Sequence, residues 1–416
     1  VNKVPGKEAV NYLPRVEDER LRSALARAGG VLIEGPKGCG KSATARQVAG
    51  SLVQVDTDLN LETQLNTLPD LALQGETPRV FDEWQEEPRL WNLVRHEIDR
   101  RQAPGQFILT GSTAPGEENS RHSGAGRIAR LRMQTFSFFE SGHSNGAVSL
   151  AKLVEEGGLA HNNETVLDVR EIIDRMAHGG WPGNRHFSTA AAQENLRSYA
   201  ETVAHVDINV TDSRRRDPVK VQALLRSLAR GVGTEQSISA IATDIDIDRA
   251  TASEYLTALQ RIFIAEEQRA WSSHLRSRAS LRKVPKRHLA DPALAAAVLE
   301  ATPGKLLQNL DFTGQMFESQ VVHDLRALSG RQIFHARDAS GLEVDAVFEM
   351  AGKTVLVEIK LGQSPQVLDK AAQNLLAFAD RFTWDTPPLL LIVTGGNLSV
   401  QLPSGVFVTS LAHLAP

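Results

Sequence analysis

Gly35-Pro36-Lys37-Gly38-Cys39-Gly40-Lys41-Ser42 spells G-x-x-x-x-G-K-[ST] and follows the apolar run Val31-Leu32-Ile33. In a strand, glycine turn and helix of this kind, successive backbone N–H groups can face phosphates. Gly35 to Ala43 is therefore expected to cradle a nucleoside triphosphate, taken here as ATP. Lys41 can reach the β and γ oxygens, and Ser42 can ligate Mg2+ at the start of the following helix. Farther along, Val80-Phe81-Asp82-Glu83 ends an apolar run with two adjacent carboxylates. Behind a phosphate loop, Asp82 is expected to hold Mg2+ with Ser42, and Glu83 to orient or deprotonate the attacking water. The run Phe107-Ile108-Leu109-Thr110-Gly111-Ser112 ends in small hydroxyls, of which Ser112 is the first choice and Thr110 the second for sensing the γ-phosphate. Arg127, with Arg130 behind it, is the candidate guanidinium that neutralises transition-state charge, in cis or from a neighbouring subunit.

A second constellation lies near the other end of the chain. Glu343-Val344-Asp345 falls on one expected strand, Val357-Glu358-Ile359-Lys360 ends the next, and Glu318 sits on the preceding helix. Strand alternation places Glu358 and Lys360 on one face. Asp345 and Glu358, with the Ile359 carbonyl, offer hard oxygens to Mg2+, Glu318 can complete the shell, and Lys360 can orient or activate a water that attacks a phosphodiester. Gln373 on the next helix is a weaker candidate for DNA contact than for a solvated face. The twelve histidines do not pair with the single cysteine, Cys39, so no zinc site follows, and Cys39 is read as a small filler within the loop. No nucleophile elbow surrounds a serine.

These groups must be positioned by several folded units. The chain has 416 residues, 41% hydrophobic and 23% charged, as in a globular protein of more than one domain. No apolar stretch approaches the roughly 18 residues of a membrane span, and a cytoplasmic location without membrane contact is the expectation. Residues 1–140 alternate strands (31–33, 52–55, 79–81, 107–109) with helices and are expected to form the ATPase unit. Residues 141–217 read as a helical connector or lid. In 218–304 two helices, a short turn and a strand-like run outline a winged helix-turn-helix, whose second helix would present Asp248, Arg249, Thr251 and Ser253. Asp244, Asp246 and Glu254 oppose phosphate contact there, so a protein-binding or lid role remains open. Arg276, Arg278, Arg282, Lys283, Lys286 and Arg287 are expected to form a phosphate-facing basic patch, with Arg214-Arg215-Arg216 as a second contributor. Net charge of −4 adds no global attraction for nucleic acid. Residues 305–416 read as a separate small α/β domain with the order helix, three strands, helix, strand.

The phosphate loop, Asp82-Glu83-Trp84-Gln85, the ILTGS strand and Gly126-Arg127-Ile128 resemble the AAA+ ATPases of bacteria and archaea that carry a C-terminal domain of long-unassigned function. Gly179-Gly180-Trp181-Pro182, His288-Leu289-Ala290-Asp291-Pro292 and Gly314-x-x-Phe317-Glu318 fit the same pattern, so the resemblance covers nearly the whole chain. It implies an oligomeric ATPase, often a hexameric ring, in which an arginine finger completes a neighbour's site. It also implies that Tyr12-Leu13-Pro14-Arg15 packs on the adenine. The C-terminal order around Glu318, Asp345, Glu358 and Lys360 resembles the PD-(D/E)xK restriction-endonuclease-like fold, especially archaeal Holliday-junction resolvases. The combined expectation is a multi-domain α/β protein that hydrolyses ATP with Mg2+ and acts on duplex or branched DNA. The alternatives are a remodelling or branch-migration motor that does not cut, and an ATP-gated regulator of a protein partner.

Overall fold

The computed structural model describes residues 12–113, 124–209, 214–272, 284–338 and 340–416. Two compact units make up the chain. The first comprises Val1–Thr135, Asp207–Arg215 and Arg261–Phe263, and the second comprises Phe136–Val206, Arg216–Gln260 and Ile264–Pro416. The segments 141–217, 218–304 and 305–416 thus fall largely within the second unit.

In the first unit the chain runs through α1 (Val16–Leu25), β1 (Gly30–Glu34), α2 (Lys41–Arg46), β2 (Ser51–Gln54), α3 (Leu59–Thr67) and α4 (Pro69–Ala72). It continues through β3 (Arg79–Asp82), α5 (Arg89–Arg101), β4 (Phe107–Gly111) and β5 (Ile128–Arg132). The five strands are parallel in the order β2-β3-β4-β1-β5. β1 and β4 are buried at every position, as parallel strands covered on both faces must be, which is why both read as unbroken apolar runs. Alternation still divides their side chains: Leu32 joins Phe81, Trp84, Trp91 and Phe107 in one core, while Val31 and Ile33 join Leu21, Val80 and Ile108 in the other. All five strands point one way, so the residues that follow β1, β3 and β4 gather at one edge of the sheet.

The second unit contains β6 (Val148–Ser149), α6 (Leu150–Glu156), α7 (Val169–His178), α8 (Thr189–His205), α9 (Pro218–Arg230), β7 (Thr234–Glu235), α10 (Ile238–Asp244) and most of α11 (Arg249–Arg261). After these come β8 (Ala265–Gln268), β9 (Lys286–Leu289), α12 (Pro292–Val298), α13 (Pro303–Gln308), α14 (Leu310–Ser329), β10 (Phe334–Arg337), β11 (Glu343–Met350) and β12 (Lys353–Lys360). The last elements are α15 (Pro365–Ala379), β13 (Leu389–Thr394), β14 (Val400–Gln401), β15 (Phe407–Ser410) and β16 (Leu414–Ala415). A three-stranded antiparallel sheet has the order β7-β9-β8. A six-stranded sheet has the order β10-β11-β12-β13-β15-β14, antiparallel from β10 to β12 and parallel from β12 through β13 to β15. Its core places Val344, Leu356, Ile392 and Val408 against Leu368, Leu375 and Phe378 of α15. Strands β14 and β15 extend this sheet beyond β13, the single strand expected after α15.

The motifs 179–182 and 288–292 are joints within this unit. The Gly180 amide donates to Asp291 at 2.8 Å, the Phe136 amide donates to the Gly180 carbonyl at 2.8 Å, and the Phe138 amide donates to Asp324 of α14 at 2.9 Å. Among the described residues, no helix is long and apolar enough to cross a membrane.

Candidate functional site

Two sites take shape, one in each unit. In the first, the loop between β1 and α2 turns through left-handed backbone at Gly38 and Gly40, with φ of 78° and 108°, where a Cβ would be strained. Lys41 is buried and its ammonium donates to the carbonyl oxygens of Gly35 and Pro36, each at 3.0 Å. It therefore stands at the mouth of the loop, where phosphate oxygens can take over those bonds. Ser42 Oγ donates to Asp82 Oδ1 at 2.6 Å, and Thr110 Oγ1 also donates to Asp82. The hydroxyl and carboxylate expected to share Mg2+ are thus already together, and their hard oxygens suit that ion.

Strand alternation would send the neighbours Asp82 and Glu83 to opposite faces. Instead Glu83 leaves the strand in the left-handed region, with φ 57° and ψ 47°, and its amide donates to Thr110 Oγ1 at 3.3 Å. Its carboxylate accepts from Gln85 Nε2 at 2.5 Å and lies 3.5 Å from Ser112 Oγ. Strained backbone of this kind costs roughly 1–3 kcal/mol and persists where neighbours fix it, which makes Glu83 a placed group and not a solvated strand end. The two hydroxyls divide the work: Thr110 secures Asp82, and Ser112 stands beside Glu83.

Arg127 lies elsewhere. Ile128 pairs with Gly30 at the start of β1, so Arg127 is at the sheet edge opposite the phosphate loop, where its Nε binds Asp99 at 2.6 Å. An action of Arg127 on its own subunit's γ-phosphate is excluded by this placement. Arg130 pairs with Glu34 at 3.6 Å. Lys37, within the loop, pairs with Asp207 at 3.4 Å.

Arg15, in the entry segment expected on the adenine, meets the backbone of the phosphate loop. It is buried, and its guanidinium donates to the Cys39 carbonyl at 2.8 Å and to the Gln134 carbonyl at 2.9 Å, clamping the loop from behind. Tyr12 bonds Asp18 at 2.5 Å and Thr44 of α2 at 3.0 Å, so this entry segment supports the loop. Replacing Arg15 by Ala leaves two buried carbonyls without their charged donor. The expected outcome is a loss of about 2–4 kcal/mol in the stability of this unit, read by denaturant unfolding, with a raised KM for ATP.

The second site lies on the six-stranded sheet. Ala346 pairs with Val357, which brings Asp345 of β11 beside Glu358 of β12. Lys360 Nζ lies 3.1 Å from Asp345 Oδ2 and 2.6 Å from Glu358 Oε2, and the Ile359 amide donates to Asp345 Oδ2 at 2.8 Å. Glu318 of α14 faces the same cleft, which has a volume of about 960 Å³ and is also lined by Gln373 and Lys370 of α15. The structure thus brings Glu318, Asp345, Glu358 and Lys360 together, with Gln373 exposed on the rim.

Three members of this site escaped the sequence reading. Asn374 Nδ2 donates to Glu358 and, at 2.6 Å, to the Glu343 carbonyl. Arg337 bonds Glu343 at 2.5 Å. Lys286 of β9 places its ammonium 2.6 Å from Glu318 Oε1, 2.6 Å from Glu343 Oε1 and 3.9 Å from Asp345 Oδ1. For Lys286 and Arg287 this corrects the expected basic patch. Lys286 is only 4% exposed and faces carboxylates, while Arg287, 3% exposed, binds Glu267 at 2.7 Å and the Gln236 carbonyl at 2.9 Å. Arg216 is likewise internal and binds Glu254 at 3.3 Å. Arg276, Arg278, Arg282 and Lys283 lie outside the described residues. Asp248 accepts from the Ala250 and Thr251 amides and so caps α11.

Burial and neighbouring charges set the protonation of the second site. Burial, then the charge of Asp345, pushes both Glu318 and Glu358 above the usual carboxylate range despite the lysines. Burial opposes charge on Lys286 and Lys360 too, but the carboxylates outweigh it and hold both ammoniums protonated. Among the described residues no three His, Cys, Asp or Glu side chains form a ready metal cage. Asp345, Glu358 and the Ile359 carbonyl would therefore leave Mg2+ several waters, as that ion prefers.

Residues 28–141 match the family described as an AAA domain. Residues 169–305 and 313–414 match two domains of unknown function, DUF8612 and DUF4143. An uncharacterized protein of Mycobacterium tuberculosis and another of Mycobacterium bovis are each 28% identical over 364 residues, covering 84% of this chain and 74% of each relative. The Walker-type ATPase of Pyrococcus abyssi is similar at 16% identity, with a TM-score of 0.44, over 72% of this chain and 99% of that one. A DNA replication initiation factor is similar at 15% identity and a TM-score of 0.23, over 59% and 86%. The chain carries an AAA+ P-loop ATPase domain and is an ATPase, with the chemistry of Mg-ATP hydrolysis.

Proposed function

We propose that this ATPase drives a C-terminal phosphodiester-cleaving site that acts on DNA, with branched DNA as the preferred substrate. The observation that carries this reading is the convergence of Asp345, Glu358 and Lys360, with Glu318, at the edge of a large open cleft. Three antiparallel strands followed by a helix and a parallel strand support a restriction-endonuclease-like fold. The order α9, β7, α10, α11, β8, β9, with its three-stranded sheet, supports a winged helix.

At the ATPase site, Ser42 and Asp82 would hold Mg2+, Lys41 would draw the β and γ oxygens into the loop, and Glu83 is placed to take the proton of the attacking water. Arg127, unable to serve its own site, supplies its guanidinium to a neighbour's γ-phosphate in a homo-oligomer, a hexameric ring being the form proposed. At the C-terminal site, Asp345, Glu358 and the Ile359 carbonyl would hold Mg2+, which when bound supplies a Lewis acid and an acidified water. Lys360 bridges Asp345 and Glu358 and can orient that water toward phosphorus. Asn374 fixes Glu358 from the opposite side, and Lys370 and Gln373 offer a cation and an amide to the incoming backbone.

ATP turnover and strand cleavage measured together with Mg2+, on duplex, single-stranded and four-way-junction DNA, test this reading. The expected result is DNA-stimulated turnover in the native chain but not in Lys41→Ala, and cutting that disappears in Asp345→Ala while turnover persists. Stimulation without cutting would make the chain a remodelling motor. Indifference to every DNA would overturn the reading.

A further inference from the structure

Lys286 does not belong to the strand pair that carries the carboxylates. It comes from β9, and strand alternation puts Lys286 and His288 on one face of that strand. His288 is buried, its Nδ1 is 2.9 Å from Ser319 Oγ of α14 and its Nε2 is 3.1 Å from Gln268 Oε1. Gln268 Nε2 in turn donates to the Phe334 carbonyl at 3.0 Å and to the Asp345 carbonyl at 2.8 Å. The small sheet is therefore pinned to α14, β10 and β11 on both sides of Lys286. This fixes the ammonium among Glu318, Glu343 and Asp345 and keeps it from swinging out into solvent.

The carboxylate of Asp345 divides the site into two cation positions. Its Oδ2 serves Lys360, the Ile359 amide and the side next to Glu358, whereas its Oδ1 faces Lys286, Glu318 and Glu343. The first position holds the Lys360 ammonium, but that side chain is 36% exposed and faces the cleft, against 6% for Lys286. The second is filled by an ammonium anchored in the protein fold, 2.6 Å from two carboxylates. A second divalent ion bridging Asp345 and Glu318 would have to sit within a few ångströms of that fixed positive charge, and mutual repulsion opposes it.

We propose that Lys286 takes the place of a second metal ion, so that the C-terminal site loads one divalent cation, beside Asp345 and Glu358. This rests on the metal-dependent reading of that site given above. Lys286 is on this account a positioning residue: it holds Glu318 and Glu343 and directs the single ion to the cleft side of Asp345.

Mn2+ binding, counted by the loss of the free-ion EPR signal in the full chain without nucleotide, tests it. Binding that persists in Asp345→Ala is subtracted, which removes any ion taken by the phosphate loop. The expected count is one in the native chain and in Lys286→Arg, and two in Lys286→Met. Because removing a buried cation can unfold the site, the double variant Lys286→Met with Glu343→Gln removes one charge of each sign and is also expected to bind two. A native count of two, or a count of one in the folded Lys286 variants, overturns the substitution of lysine for metal while leaving the site metal-dependent. A native count of zero overturns the metal-dependent reading itself, and the proposal with it.

Discussion

Glu83→Gln is expected to lower ATP turnover by about 10²- to 10⁴-fold, the usual contribution of a positioned general base, with nucleotide affinity unchanged. That corresponds to about 3–5.5 kcal/mol of transition-state stabilisation. The amide keeps the size of the carboxylate and can still lie against Gln85 and Ser112, so the surroundings are kept while the group that accepts a proton is lost. Lys41→Ala should behave differently, because Lys41 is placed to hold phosphate oxygens in the ground state as well as in the transition state, and affinity should fall along with rate. Steady-state phosphate release and equilibrium binding of a fluorescent ATP analogue separate the two. If Glu83→Gln turns over ATP at the native rate, the base must be sought elsewhere at the C-terminal edge of the sheet.

The legible parts of the molecule are those whose signal is local. β1, β3 and β4 announced themselves as apolar runs because parallel strands are covered on both faces, and the glycines at 38 and 40 marked the turn between β1 and α2. Asp345, Glu358 and Lys360 could be brought together on paper because alternation along β12 and pairing with β11 follow from the residue pattern. What could not be read depends on contacts between distant segments. The left-handed backbone at Glu83 follows from how the chain leaves β3 toward Trp84, and no residue type at that position signals it. Asn374 meets Glu358 only after α15 has packed on the sheet.

Lys286 and Arg287 show the cost of reading charge without burial. A run of basic residues is most often a solvated face, and nothing in the letters Lys-Arg-His-Leu distinguishes a surface wing from a buried strand. In the structure all four residues of β9 are buried, and each cation is matched by carboxylates from other elements. The clamp that Arg15 makes on two carbonyls was hidden for the converse reason. A single arginine before a helix carries no pattern, and its two carbonyl partners lie far along the chain.

Gly180→Ala is expected to destabilise the second unit by about 3 kcal/mol or more, above the ordinary cost of overpacking because the obstruction is backbone. A Cβ at this position would stand 2.7 Å from the Phe136 amide nitrogen and closer still to its carbonyl oxygen. Neither atom can rotate away as the end of a side chain can. Relief requires residues 136 and 180 to separate, which breaks the 2.8 Å bond from the Phe136 amide to the Gly180 carbonyl and disturbs the 2.8 Å bond from the Gly180 amide to Asp291. The damage should spread along α7, α8 and α12, which this joint holds together. Gly183 is three residues away and serves as the internal control, since a Cβ there meets nothing within 4 Å. Gly183→Ala should change stability by no more than about 1 kcal/mol, and in the stabilising direction if its backbone suits alanine. Urea midpoints of the two variants and the native chain decide the matter. Equal midpoints for Gly180→Ala and Gly183→Ala would mean that the 136–180 contact relaxes at little cost and does not hold the unit together.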